Sequence, residues 1–121
     1  MPHISKIKIN KETLYELDDQ ILSFFEETGI KMRQKIFREL FTKTERMMIG
    51  KRLMLLLLIS RKTPPYIIRN ILKMSSSTIS RFDSKFEKGY FKNTQSWFSQ
   101  DRIRSGLVKF LSRWILPGSR K

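Results

Sequence analysis

Cysteine is missing from this 121-residue chain, and its absence removes disulfide frameworks, thiolate metal sites and cysteine nucleophiles together. Histidine is almost missing as well, with His3 near the N-terminus as its single instance. There is no Gly-rich phosphate loop and no metal-ligand spacing, so no catalytic residue, metal or cofactor is expected. The adjacent acids Asp18-Asp19 and Glu26-Glu27 read as a solvated helix surface rather than a catalytic pair. Long apolar runs are also lacking. The longest, Leu53 to Ile59, has seven residues, against the roughly 20 that cross a bilayer. The opening MPHISKIKIN has no continuous apolar stretch of the kind that makes a secretory signal. These absences point to a cytoplasmic protein, with no membrane partner.

Negative charge is scarce too: 11 Asp and Glu face 25 Lys and Arg, a formal net charge of +14. Such an excess implies a polyanionic partner, nucleic acid or an anionic surface. It is unevenly placed. Residues 1–30 carry three Lys against six acids, net −3, which leaves +17 on residues 31–121. With 40% hydrophobic residues, the chain has enough apolar surface for one core and reads as a single helical domain over residues 1–121.

The apolar residues recur at helical spacing, and neither a strand nor an internal repeat stands out. Thr13 with Glu16 suggests a capping box ahead of a helix ending near Glu27, with Leu14, Leu17, Ile21, Leu22, Phe24 and Phe25 on its apolar side. Ile30 to Phe41 forms a second, more basic helix carrying Met32, Ile36, Phe37 and Leu40 on one side. Thr42 with Glu45 suggests another capping box, opening a helix of about 18 residues. From Leu53 onward that helix is apolar all round, and such a helix must be covered on every side. A partner subunit is the expected cover, so residues 13–61 are read as helical core and dimerisation region of a homodimer.

Thr63-Pro64-Pro65 stops the long helix, while Pro65 suits the first turn of the next. PYIIRNILKM then carries an apolar stripe of Ile67, Ile68, Ile71 and Leu72. After a three-residue turn, Ser75 or Ser76 is a natural N-cap, and Ile79, Phe82 and Phe86 predict a helix from Ser76 to Glu87 that ends at Gly89. Helices of about eight and twelve residues joined by a tight turn have helix-turn-helix spacing, assigned here to residues 64–88. Residues 93–116 hold a C-terminal amphipathic helix with Ile103, Leu107, Phe110, Leu111, Trp114 and Ile115 on one face, closed by Pro117-Gly118.

The run Ser75-Ser76-Ser77-Thr78 opens the second helix of that pair. Small hydroxyls there let a helix start approach base edges and phosphates, and Arg69, Lys73, Arg81 and Lys85 supply charge beside them. The candidate DNA-binding residues are Tyr66, Arg69, Lys73, Ser76, Ser77, Thr78, Ser80, Arg81 and Lys85.

LFTKTERMMIGKR, then a long helix, then IIRNILKMSSSTISRF resembles the Trp repressor-like superfamily over about Leu40 to Phe86. T-x-x-E-R-x(5)-R and T-I-[ST]-R are its more specific parts. The resemblance implies an all-α, intertwined dimer that binds a palindromic operator in double-stranded DNA and regulates transcription. It also implies an effector pocket at Thr42, Arg52 and Arg81. Phe82, however, stands where Trp repressor has a glycine, and Lys85 where it has a small hydroxyl. Tryptophan is therefore not the expected corepressor, and Phe82 is expected to fill the pocket; any other effector is left open. Two alternatives stay open beside this reading. One is a sequence-independent nucleic-acid-binding accessory protein, with Tyr90, Phe91, Trp97 and Phe98 able to stack bases. The other is a basic membrane-surface protein acting through the C-terminal helix.

Overall fold

The structure is a computed structural model and describes residues 9–115. His3, Pro117 and Gly118 lie outside the described residues, as does the side chain of Ile115. Among the described residues there are seven helices and no strand: α1 (Lys11–Glu27), α2 (Ile30–Leu40), α3 (Lys43–Ser60), α4 (Pro65–Leu72), α5 (Ser76–Glu87), α6 (Lys92–Trp97) and α7 (Asp101–Ile115). They divide into two compact units, one ending at Lys43 and the other beginning at Thr44.

In the first unit, Asn10 caps α1 by accepting from the Thr13 N–H at 2.8 Å. Thr13 is therefore the third helical residue and a donor to the cap, not the cap that its pairing with Glu16 suggested. Asparagine is among the strongest N-caps, and here it starts the helix earlier. At the other end the Arg33 guanidinium donates to the Thr28 and Glu26 carbonyls at 2.7 and 3.3 Å. A cation there satisfies orphan carbonyls and meets the negative pole of α1. α2 stops at Leu40, one residue short of the expected end, and the Phe41 N–H closes its last turn on the Phe37 carbonyl. Neither helix has a buried residue. The Leu14 to Phe25 stripe, expected to be core and dimer contact, forms no core within the chain: Leu14, Leu17, Ile21, Leu22 and Phe24 are exposed and Phe25 is half-buried.

The second unit is built round α3. Met54 to Leu58 are consecutive buried residues, so this part of the helix is enclosed on all sides as its composition requires. The enclosure comes from the same chain. Met54, Leu55 and Leu58 pack with Ile68 and Leu72 of α4, Ile79 of α5 and Leu111 of α7. Leu56 and Leu57 pack with Phe98, flanked by Phe82, Phe86 and Phe91. A partner subunit is not needed to cover Met54 to Leu58, whereas Met47, Met48 and Ile49 earlier in α3 are exposed. Leu55, Leu57, Ile68, Leu72 and Ile79 are the largest fully enclosed side chains, each contributing about 1.5–3 kcal/mol through burial.

Left-handed residues end three of these helices. At the end of α3 the Thr63 and Lys62 N–H groups bond to the Leu58 and Ile59 carbonyls, with Lys62 at φ 60°. At the end of α5 the same pattern uses Gly89 at φ 85°, with Tyr90 bonded to Lys85 and Gly89 to Phe86. Both are Schellman closures, and only the second uses the residue without a Cβ penalty. The third is Lys73, at φ 56° and ψ 47° after α4. The C-terminal segment is two helices rather than one: it breaks after Trp97 and resumes at Asp101. Phe98 turns into the core there, and the Ser96 and Ser99 hydroxyls donate to the Asn93 and Ser96 carbonyls, each at 2.7 Å. Serine bonds of this kind compete with the helical ladder.

Candidate nucleic-acid interface

The surface to be tested is built by α4, a three-residue turn and α5. Pro64 precedes α4 in extended conformation and Pro65 begins it, where a missing N–H costs nothing and the fixed φ suits the helix. Ile68 and Leu72 anchor α4 in the core, and Ile79 anchors α5. The two helices pack directly on each other. Between them, the Lys73 N–H bonds to the Arg69 carbonyl at 2.9 Å and the chain reverses through the left-handed Lys73.

Ser75 is the N-cap of α5: its Oγ accepts from the Thr78 N–H at 3.2 Å and donates to Thr78 Oγ1 at 2.9 Å. The same oxygen lies 3.2 Å from Ser77 Oγ. Ser76 has a different partner, the Arg69 guanidinium, which donates to its Oγ at 2.9 Å. Because Ser76 only accepts in that bond, its own O–H remains able to donate. The hydroxyl run thus divides into a cap, Ser75 with Thr78, and an outer set of Ser76, Ser77 and Ser80, all exposed. Thr78 is half-buried and tied to the cap through both its N–H and its hydroxyl.

Tyr66, Arg69, Lys73 and Arg81 are exposed, and Lys85 is half-buried. The Arg81 guanidinium and Lys85 Nζ lie 5.8 and 6.0 Å from the Phe82 ring centroid, within cation–π range. At about 100° per residue, Ser76 and Ser80 fall within about 40° of each other on one side of α5, while Arg81 and Lys85 fall about 100–180° further round, with Ser77 between the two sets. The exposed face of α5 thus runs from the hydroxyls of Ser76 and Ser80 at one edge to the cations Arg81 and Lys85 at the other.

The residues expected around an effector are Thr42, Arg52 and Arg81. Thr42 belongs to the first unit, Arg52 and Arg81 to the second, and all three are exposed. Phe82 packs against both core clusters and stacks on Phe91 at 5.8 Å. The aromatic group near the end of α5 separates likewise: Phe98 is core, Phe91 half-buried, and Tyr90 and Trp97 exposed. The apolar face of α7 is largely spent inside the second unit, where Leu111 is buried and Leu107, Val108 and Trp114 pack against the core. No described helix is long and apolar enough to cross a membrane, and no cluster of His, Cys, Asp and Glu among the described residues could hold a metal.

Sequence reasoning missed the Arg69–Ser76 link, although a cation and a hydroxyl seven residues apart across a tight turn are a readable signal. It also assigned Thr78 outward, because the pairing of Ser75 with the N–H three residues on depends on which serine caps. No family model, curated protein or solved structure matches this chain.

Proposed function

We propose that this chain binds double-stranded DNA as a sequence-specific transcriptional regulator, with α4, the turn and α5 acting as a helix-turn-helix. The observation that carries the reading is the outer face of the α5 start. Ser76, Ser77 and Ser80 are exposed there, between Arg69 and Lys73 on one flank and Arg81 and Lys85 on the other. Small hydroxyls allow close approach to base edges, while the cations neutralise phosphates and set register. The net charge of +14 supplies the sequence-independent attraction on which such binding rests.

Selection from a random duplex pool at about 0.15 M salt, where the Debye length is roughly 8 Å, tests the proposal. Enrichment of a two-fold palindrome is the expected result. Binding without enrichment would instead mean that the hydroxyls only dock phosphates, and the protein is a sequence-independent nucleic-acid-binding module. Tryptophan is not its effector, because the Phe82 ring is committed to the core beside Arg81. Calorimetry showing saturable, stoichiometric tryptophan binding at micromolar concentration would refute that exclusion.

A palindrome requires a dimer, and the first unit offers a surface for a second copy. Ile21, Leu22 and Phe25 of α1 and Phe37 of α2 line an apolar groove of about 450 Å³. α1 carries one Lys against six carboxylates, and α2 four cations against one acid. Two copies related by a two-fold axis would set α1 of each against α2 of the other, joining the apolar faces with opposite charge across them. In this reading dimerisation rests on α1 and α2 rather than on Met54 to Leu58 of α3, which the chain itself encloses.

A further inference from the structure

A cleft of about 370 Å³ lies within the second unit, between the end of α3, the start of α4, α5 and α6. Its apolar lining includes Ile59, Ile68, Ile79 and Phe86, and Asp83 and Glu87 stand on its α5 side. From Thr44 onward the chain has only four acids, Glu45, Asp83, Glu87 and Asp101, so half of them line this one depression. Asp101 is paired with Arg104 at 2.7 Å. Among the described residues, neither Asp83 nor Glu87 makes an ion pair, although Lys62 also lines the cleft.

Asp83 and Glu87 are four residues apart on one helix, where like charges repel. Both sit toward the C-terminal end of α5, whose partial charge is also negative. A bound cation would relieve both effects. Two carboxylates without a third ligand do not make a metal site, whereas the exposed Pro64 and Pro65 and the half-buried Ile59 and Phe86 put apolar surface beside the charge that suits an apolar body. We infer that this cleft binds an amphipathic organic cation, an amine carrying an aromatic or branched apolar group, and is the effector site of the protein.

The regulatory part of this inference rests on the DNA-binding reading; the binding part does not. By helix geometry Glu87 falls within about 20° of Ser76 and Ser80 around α5, and Asp83 within about 60° of Ser80. The carboxylates therefore border the hydroxyl edge, where they oppose an approaching phosphate. One bound ammonium offsets one of the two charges and tightens DNA binding by about two-fold, the effect of one charge acting across roughly 10 Å of water.

2-Phenylethylamine and its neutral isostere 2-phenylethanol are the probes, titrated against the full-length protein by NMR with and without the substitutions Asp83→Asn and Glu87→Gln. The amine should saturate with a Kd of about 1 mM or tighter, reasonable for nine heavy atoms, and should shift signals of Ile59, Ile68, Ile79 and Phe86. The alcohol should bind at least about ten-fold more weakly, and the double variant should lose the preference for the amine. Equal binding of amine and alcohol, retention of the preference in the double variant, or shifts elsewhere would each overturn the site, whatever the protein does with DNA. Fluorescence anisotropy on a DNA duplex then reads the coupling. Tightening in the native protein alone supports the effector role, and amine binding that leaves DNA affinity unchanged overturns that role.

Discussion

The Arg69 guanidinium donates to Ser76 Oγ at 2.9 Å, clasping α4 to the first residue of α5 across the turn. Both groups are exposed, so the bond itself contributes little, about 0.5–1 kcal/mol at most. Its larger effect is to hold a guanidinium beside the hydroxyl edge. Arg69→Ala should therefore leave the fold nearly as stable but weaken DNA binding, and should lower the slope of log affinity against log salt by about 1. Arg69→Lys should keep the slope. Anisotropy titrations at several salt concentrations read both quantities, and an unchanged slope in Arg69→Ala would place Arg69 away from phosphate.

Ser76 and Ser80 should govern which sequence is bound, whereas Arg81 and Lys85 should govern how tightly any sequence is bound. Replacing both serines by Ala removes hydroxyls without adding bulk, and should cost about 1–3 kcal/mol on the preferred site while leaving non-specific binding intact. Arg81→Ala or Lys85→Ala should weaken preferred and random duplexes alike, with a reduced salt slope. Pool selection repeated with the serine variant decides the matter: an unchanged preferred site would show that the hydroxyls do not read bases.

The helix ends show what was legible and what was not. Pro64-Pro65, a serine cap at position 75 or 76 and Gly89 each leave few backbone options, so the span Ser76 to Glu87 and the three-residue turn before it were readable. The Leu53 to Ile59 run announced its own burial, and Met54 to Leu58 are buried. What covers that run is a tertiary matter, and periodicity pointed to a partner where α4, α5, α7 and Phe98 suffice. The break between α6 and α7 was hidden because Phe98 fits an amphipathic pattern equally well in a continuous helix. In the candidate site the residue types were legible, but the split of the hydroxyls into cap and outer set follows from bonds that spacing alone does not choose.

Lys62 and Lys73 hold left-handed conformations, at φ 60° and 56°, that glycine adopts without a Cβ penalty. Lys62→Gly should raise stability by about 0.5–1 kcal/mol, the relief at the folded site being partly offset by the freer unfolded chain. Lys73→Gly should give a similar gain and also weaken DNA binding, because it removes a cation from the turn. Urea denaturation with an unchanged m-value, alongside the anisotropy assay, separates the two. Destabilisation by Lys62→Gly would mean that its side chain, not its backbone, matters at the end of α3.

The apolar groove lined by α1 and α2 bears on the oligomeric state. With Leu22 at 66% exposed and Leu14, Ile21 and Phe24 each above 40%, little apolar surface is covered within one chain, and so small a unit has a marginal core of its own. Leu22→Glu puts a charge into the apolar groove and, on α1, adds to an already acidic helix. Native protein should sediment as a dimer over the concentrations at which DNA is half-saturated, and the variant as a monomer. The second unit should be indifferent: the cooperative unfolding set by Leu55, Leu57 and Leu72 should persist in Leu22→Glu, whereas Leu57→Ala should lower it by about 2–5 kcal/mol through the cavity it leaves. Raising salt should weaken the native dimer without dissolving it, since only the charged part of the contact is screened. A native protein that sediments as a monomer throughout, or a Leu22→Glu variant that remains dimeric, would remove α1 and α2 from the dimer contact.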